Sequence, residues 1–174
     1  NIASANACTN FIVGKNASAD GSVLISYAAV SYGMYGFLYH RSASKHNKGE
    51  FRNVRYWDTN QFLGKIPEAP ITYNVVGNIN ENQVAIAETT FGGREELVDT
   101  TATMDYGSMI LIALERSLTA REAIKIMTDL VETYGYNSEG ETFTIADKNE
   151  AWIMGMVGKG NVEKGAVWVA VRVP

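Results

Sequence analysis

Two helical segments lie next to each other in the middle of the chain, and this arrangement limits the fold more than any other sequence feature. Residues 105–117 carry an almost continuous apolar run, which is typical of a well-buried helix. Residues 119–134 place apolar side chains at 3.6-residue spacing behind a Thr119/Glu122 capping box, and Gly135 follows, as at a helix C-terminus. No β-type segment separates the two helices, so the alternating βαβ pattern of a parallel sheet is absent.

Segments of β-type composition precede and follow these helices. Residues 8–13 and 22–27 predict a hairpin around the turn signal Asp20-Gly21, whereas the weakly periodic residues 31–70 predict loops with short strands. Five further strands are predicted, the first two as a second hairpin, at residues 71–76, 83–88, 141–147, 151–156 and 166–173. The sequence therefore predicts an α+β layered protein with mainly antiparallel sheets and a helical hairpin on one face.

Composition excludes several classes of protein. The 174 residues are 46% hydrophobic and 20% charged, which suits one globular domain or a piece of one. The net charge of −4 argues against a nucleic-acid binder, and no apolar run approaches the roughly 20 residues of a transmembrane helix. One cysteine and two histidines, His40 and His46, cannot form an internal disulfide or a Cys/His zinc site. No feature of the sequence requires a metal or a cofactor.

The single cysteine, Cys8, has two interpretations. It is either a small buried hydrophobe, as most free cysteines are, or a nucleophile exposed by cleavage. Ala5-Asn6-Ala7 matches the pattern that signal peptidase cuts after, so residues 1–7 are either a propeptide or signal-peptide remnant or a plain flexible terminus. Cleavage after Ala7, autocatalytic or by signal peptidase, frees an α-amine with an ordinary pKa of about 7.7–8.0. That amine is suited to act as base for the Cys8 thiol.

Other polar residues carry weaker signals. His40 and His46 lie in a loop-rich stretch and are interpreted as surface residues. The tyrosines around residues 27–39 either line a pocket or pack in the core. The acidic residues of the C-terminal third are interpreted as a solvated face and turns rather than as a metal cluster; they are Glu139, Glu141, Asp147 and Glu150.

An ordered set of short motifs gives the chain a family resemblance from Cys8 onward. The set runs through residues 8–15, 19–22, 73–81, 88–93, 119–123, 134–136, 140–141, 145–147, 150–152 and 165–170. Together these motifs resemble the dipeptidase family of N-terminal-nucleophile (Ntn) cysteine hydrolases, of which the secernins are relatives. The similarity is greatest to exported bacterial members.

The resemblance implies a four-layer αββα sandwich, with residues 8–174 as the N-terminal part of a single domain. It implies hydrolysis of dipeptides, with Cys8 as nucleophile and its freed α-amine as base. It also implies export to the periplasm or the cell exterior of a bacterium. A related group, the bile-salt and penicillin V acylases, places Thr90 where an oxyanion-stabilising side chain sits, although backbone N–H groups nearby suit that role equally.

Three departures from the family pattern keep alternatives open. Family members are longer, so the sequence is expected to be truncated after Pro174. Relatives have an Asp at the end of the second strand, where Val30 lies here, and a Glu where Gly155 lies. The alternatives to a dipeptidase are an N-acyl amide acylase and an inactive or unprocessed homologue that binds peptides without turnover. A homo-oligomer is neither indicated nor excluded by the sequence.

Overall fold

The computed structural model describes residues 8–30, 36 and 38–174, and every structural statement below refers to those residues. The predicted propeptide, residues 1–7, lies outside the described residues, as do residues 31–35 and 37 of the predicted loop region. Within the described part of the chain, no helix is long and apolar enough to span a membrane.

Strands come first in the chain, then two helices, then strands again. The strands before the helices are β1 (Thr9–Val13), β2 (Leu24–Ala28), β3 (His40–Arg41), β4 (Ser44–Lys45), β5 (Phe51–Arg55), β6 (Phe62–Pro67), β7 (Ile71–Thr72), β8 (Val75–Val76), β9 (Ile79–Asn80) and β10 (Ala85–Gly92). A short 3₁₀ helix (Glu95–Leu97) precedes α1 (Tyr106–Arg116) and α2 (Ala120–Tyr134). The last strands are β11 (Gly140–Ala146), β12 (Ala151–Gly158) and β13 (Ala166–Val173).

A seven-stranded sheet forms the centre of the molecule, in the order β13-β12-β11-β10-β9-β8-β3. The other described strands form three two-stranded sheets, namely β1-β2, β4-β7 and β5-β6. All these neighbouring strands pair antiparallel. The predicted α+β class, with antiparallel sheets and two adjacent helices, is therefore confirmed.

The two faces of the large sheet have different partners. Phe143 and Ile145 of β11 are fully buried and share one apolar core with residues of α1 and α2. Thr144, between them, points to the opposite face because side chains alternate along a strand. Its hydroxyl accepts a hydrogen bond from Asn10 of β1 at 3.4 Å. The hairpin β1-β2 thus contacts the face of the sheet that the helices leave free.

The predicted signals at the ends of α2 are confirmed. The Thr119 hydroxyl accepts a hydrogen bond from the Glu122 N–H at 3.2 Å, and the Glu122 carboxylate accepts one from the Leu118 N–H at 2.8 Å. Gly135 ends the helix with φ of 78°, and its N–H donates to the Val131 carbonyl. That positive φ strongly favours glycine.

The second predicted hairpin is wrong in its pairing. Residues 71–76 do not pair with residues 83–88; instead β8 pairs with β9 through Val75↔Asn80 and Val76↔Ile79, and β9 then pairs with β10. Two close reversals replace the single long loop. Gly77 has φ of 53° and Gln83 has φ of 66°, and these left-handed conformations turn the chain back twice within a few residues.

The predicted loop region contains more strand than expected. β5 and β6 form a regular antiparallel pair of five and six residues, in which Val54 and Ile66 are fully buried. Charged and amide side chains interrupt the apolar alternation in β5, and β6 contains a glycine, a lysine and a proline, so the β signal of both strands is weak. Packing of Val54 and Ile66 in the core stabilises the two strands despite their weak local β pattern.

Asn80 ties the central sheet to the end of α1. Its side-chain N–H₂ group donates to the Leu114 and Ser117 carbonyls at 2.7 and 2.8 Å. Its side-chain oxygen accepts from the backbone N–H groups of Asn82 and Val84 at 3.0 and 2.9 Å. The side chain is buried, so its loss would leave buried carbonyl and N–H groups without these hydrogen bonds.

We expect Asn80→Ala to lower the free energy of unfolding by about 3 kcal/mol, because it leaves buried carbonyl and N–H groups unsatisfied. Urea unfolding of the complete gene product, followed by circular dichroism, measures the loss. Asn82→Ala is the matched control, because the Asn82 amide makes only a 3.5 Å contact with the Ser117 carbonyl. Equal losses for the two variants would contradict the role assigned to Asn80.

Candidate active site

A cleft of about 1400 Å³ opens between the hairpin β1-β2, the β5-β6 pair and helix α1. Cys8 and Tyr27 line it from the hairpin, Glu88 from β10 and Tyr106 from α1. Its volume exceeds the roughly 300–1,000 Å³ of an ordinary small-molecule pocket. The cleft is therefore large enough for a small peptide.

Cys8 lies immediately before β1 and is partly buried. Its thiol Sγ lies 3.6 Å from Glu88 Oε1, the distance of a hydrogen bond that the thiol donates. Burial raises the pKa of Cys8, and the Glu88 charge and hydrogen bond raise it further, against a backbone hydrogen bond from Val30 that lowers it. The thiol is therefore protonated at neutral pH, and a thiolate requires a base.

Glu88 joins the hairpin to the large sheet. Its side chain is buried, and its Oε1 accepts a 2.6 Å hydrogen bond from the Tyr27 hydroxyl as well as the contact from Cys8. Its main-chain carbonyl accepts from Asn10 at 3.1 Å. Glu88 of β10 is therefore contacted by three residues of the hairpin region: Cys8, Asn10 and Tyr27.

A second buried carboxyl, that of Glu141, lies beside the first. Thr90 pairs in register with Glu141 across β10 and β11, and its hydroxyl donates to Glu141 at 2.9 Å and lies 3.5 Å from Glu88 Oε2. Burial raises the pKa of Glu141 well above its ordinary value, and the hydrogen bond and charge of Glu88 raise it further. Two adjacent carboxyls do not both ionise readily, so Glu141 is neutral at pH 7.

The tyrosines of the cleft are neutral donors. Burial raises the pKa of Tyr27 and of Tyr106, and nearby Glu88 raises both further. The Tyr106 hydroxyl donates to Asp58 at 3.2 Å. The predicted choice between pocket and core is therefore resolved for Tyr27 in favour of the pocket.

The far wall of the cleft carries charges of both signs. Arg52 pairs with the buried Glu115, and Arg116 pairs with Glu68 at 2.8 Å. Burial lowers the pKa of Arg52 to about 10, which leaves it charged at neutral pH. The Arg41 side chain lines the same wall and is exposed.

The sequence-predicted site residues lie in different surroundings. Cys8 lies in the cleft, whereas Thr90 is exposed and its hydroxyl proton is directed at Glu141; its oxyanion role stays a prediction. The Val30 side chain is exposed, and its backbone N–H is directed at the Cys8 thiol. Gly155 lies in β12, where an added Cβ would contact only Val169 at 3.9 Å.

Some polar residues are more buried than predicted. His40 is exposed, as expected, but His46 is half-buried in the cleft wall, with Nε2 3.1 Å from the Thr72 hydroxyl and Nδ1 3.3 Å from Glu50. The interpretation of the acidic residues as a solvated face and turns is wrong for Glu141, which is buried in a strand. Asp147 is also buried but lies in a turn, as expected, where its Oδ1 accepts from the N–H groups of Asn149 and Glu150. Asp147 accepts the Ala120 N–H at the start of α2.

Sequence reasoning missed the partners of Cys8. The signal for Glu88 was present, because a Glu stands inside the apolar strand segment Ala85-Ile-Ala-Glu88 and a buried Glu needs partners. Glu141 gave no such signal in its own segment. Among the described residues, no group of three or more His, Cys, Asp and Glu side chains is arranged to hold a metal ion.

Comparison with known proteins places the chain in a peptidase family. The family model described as Peptidase family C69 matches residues 7–174. A probable dipeptidase of Latilactobacillus sakei is 30% identical over 97% of this chain and 37% of its own length. Probable dipeptidases of Salmonella dublin and of Lactococcus lactis subsp. lactis (strain IL1403) are 28% and 25% identical, over 97% and 96% of this chain and 41% and 37% of their own lengths.

The chain belongs to Peptidase family C69. The family resemblance found in the sequence is thereby confirmed. The chain spans about two fifths of the length of these curated relatives.

We expect the Glu141→Gln variant to gain stability over the wild type as the pH rises from 5 to 8. Folding raises the Glu141 pKa, so the wild type must keep this carboxyl protonated above its unfolded pKa and loses stability as the pH rises toward the folded value. The loss is at most about 1.4 kcal/mol per pH unit. A glutamine cannot ionise, so the variant does not lose stability in this way.

Urea unfolding of the complete gene product at pH 5, 6.5 and 8 measures the difference between the two proteins. Glu139→Gln removes an exposed acid two residues away and is expected to follow the wild type. A difference between Glu141→Gln and wild type that stays constant with pH would show that Glu141 is ionised in the folded protein.

Proposed function

We propose that this protein is an Ntn-type cysteine dipeptidase whose nucleophile is the Cys8 thiol. The observation that carries the proposal is the position of this thiol, which lies in a large cleft beside a buried carboxylate. Membership of Peptidase family C69 and similarity to proteins described as probable dipeptidases support it.

The base in this proposal is the α-amine of Cys8 itself. The thiol pKa is raised, so a base must take its proton before attack. His46 lines the same cleft, but both of its ring nitrogens face other groups, the Thr72 hydroxyl and the Glu50 carboxylate. An α-amine freed by cleavage after Ala7 has a suitable pKa and is joined to the thiol through only two carbons.

The reaction then proceeds in two steps. The amine takes the thiol proton, the sulfur attacks the scissile carbonyl, and the resulting ammonium gives a proton to the departing amine to leave a thioester. The amine next takes a proton from water, the oxygen attacks the thioester, and the thiol is re-formed as the acid leaves. Thr90 or nearby backbone N–H groups are the proposed donors to the oxyanion.

The charges of the cleft support a dipeptide over an N-acyl amide. A free dipeptide carries an ammonium and a carboxylate, and the cleft offers the exposed Asp58 and Arg41, whereas Glu68 and Arg52 already form ion pairs within the protein. An N-acyl chain has no ammonium and gains nothing from the acidic side chains. Both substrates use the same nucleophile, so the preference is set by binding.

The proposal extends to the scaffold and the maturation of the protein. The β1-β2 hairpin, on the face of the large sheet opposite the helices, is proposed as the start of the second sheet of a four-layer αββα sandwich. Residues 8–174 are then the N-terminal part of one domain, and residues 1–7 a leader whose removal activates Cys8. Export to the periplasm or exterior of a bacterium fits such a leader.

We expect Cys8→Ala to abolish dipeptide hydrolysis, with a loss of about 10⁴-fold or more in kcat/KM, because no other group replaces the nucleophile. Turnover of the complete gene product is measured together with its intact mass after incubation at neutral pH. Ser18→Ala, in the loop after β1, is the control and is expected to keep full activity.

Loss of Asn1–Ala7 from the active wild type is the expected mass change. Full dipeptidase activity in Cys8→Ala, or in a chain that retains those residues, would contradict the mechanism. Cys8-independent binding of dipeptides without turnover would instead identify an inactive homologue.

A matched substrate pair separates dipeptidase from acylase. We expect Ala-Ala to be hydrolysed at least about tenfold faster than N-acetyl-Ala-Ala at equal concentration, because acetylation removes the ammonium that the acidic cleft residues bind. Mass spectrometry measures alanine from Ala-Ala, and both alanine and Ala-Ala from N-acetyl-Ala-Ala, because cleavage of the acetyl amide releases acetate and Ala-Ala rather than alanine. Equal rates, or a preference for the acetylated compound, would favour the acylase.

A further inference from the structure

Glu88 is a buried carboxylate without a cationic partner. Two donors converge on its Oε1, the Cys8 thiol at 3.6 Å and the Tyr27 hydroxyl at 2.6 Å. The Thr90 hydroxyl, whose proton is directed at Glu141, lies 3.5 Å from Oε2. Only 4% of the residue is exposed, and no Lys, Arg or His within the described ranges forms an ion pair with it. Such a group is costly to bury, and packing alone does not account for a carboxylate here.

We propose that Glu88 is the positioning residue for Cys8: it holds the thiol through Oε1 before attack, and then accepts the α-ammonium after the proton has moved. This inference rests on the proposed function and adds a residue to it. The proton balance is simple, because the S–H bond breaks, an N–H bond forms on the α-nitrogen of the same residue, and Glu88 stays a carboxylate throughout.

The same contact explains why the thiol stays protonated until a base takes its proton. While the proton is on sulfur, Glu88 accepts a hydrogen bond from Cys8. Once the proton has left, the sulfur and Glu88 carry like charges and repel each other. The repulsion favours movement of the sulfur away from Glu88, and the carboxylate oxygen is then free for the ammonium.

A second buried carboxyl, that of Glu141, adjoins Glu88. The Glu141 carboxyl is neutral at pH 7 and touches Thr90, which in turn reaches Glu88. The other titratable groups that interact with these residues are Tyr27, Tyr56, Tyr106, Tyr136 and Glu139. None of these is a cation, so the negative charge at Glu88 acts on Cys8 without local compensation from them.

The test is the pH dependence of Cys8 alkylation by iodoacetamide in the complete gene product, read by mass spectrometry of the Cys8-containing peptide. We expect Glu88→Gln to lower the apparent thiol pKa by about one unit or more, because it removes a facing charge. Tyr27→Phe is expected to raise it, because Glu88 loses its strongest donor. Glu139→Gln removes a nearby charge that does not contact Cys8 and is expected to leave the thiol pKa in place.

Kinetics on a dipeptide provide a second readout. We expect Glu88→Gln to lower kcat by about 10- to 100-fold with a smaller change in KM, and Glu88→Asp to restore part of the loss. An unchanged thiol pKa in both Glu88→Gln and Tyr27→Phe would overturn the proposal. If near-ultraviolet circular dichroism shows that Glu88→Gln does not fold, Tyr27→Phe decides alone: a rise supports the proposal and no change overturns it.

Alkylation does not require turnover, so the two proposals fail separately. In one outcome, the wild type hydrolyses no dipeptide while Glu88→Gln lowers the Cys8 thiol pKa and Tyr27→Phe raises it. That result would support the contact between Glu88 and the thiol and overturn the proposed function. Turnover that depends on Cys8 but not on Glu88 would do the reverse.

Discussion

The contact of Cys8 with Glu88 is the constraint on which the candidate site depends. The two residues are 80 positions apart in the chain; Glu88 lies in the seven-stranded sheet, and Cys8 directly precedes the first strand of a separate two-stranded sheet. A buried carboxylate must have its lone pairs satisfied, and here the hydroxyl of Tyr27 and the thiol of Cys8 satisfy one oxygen. The hairpin therefore has little freedom to slide on the large sheet without leaving Glu88 unsatisfied.

Because side chains alternate along each strand, the two faces of the large sheet contact different parts of the protein. Apolar residues of β11 bind the sheet to the helices, while Thr144 between them reaches the hairpin. Asn80 fixes the other end of the layer by holding the last carbonyls of α1 and the chain that leads into β10. The strand that carries Glu88 is thus held by packing on one face and by hydrogen bonds at its entry.

Local structure was largely predictable from the sequence, and long-range partners were not. The capping pair Thr119/Glu122 and the C-terminal Gly135 mark α2 because capping is local chemistry. The reversal at Gln83 was missed because positive φ is unusual for that residue type. Glu141 looked like a surface acid because its burial and its hydrogen bond from Thr90, 51 positions away, come from tertiary contacts that no local pattern records.

The same reasoning bears on the departures from the family pattern. Where relatives have an acid at the end of the second strand, this chain has Val30, which contributes only its backbone N–H to the Cys8 thiol. An acceptor for the freed amine need not come from that strand, however, because Glu88 approaches the same residue from β10. Under the proposed mechanism the requirement is one carboxylate beside the N-terminal residue, and the fold meets it from a different strand.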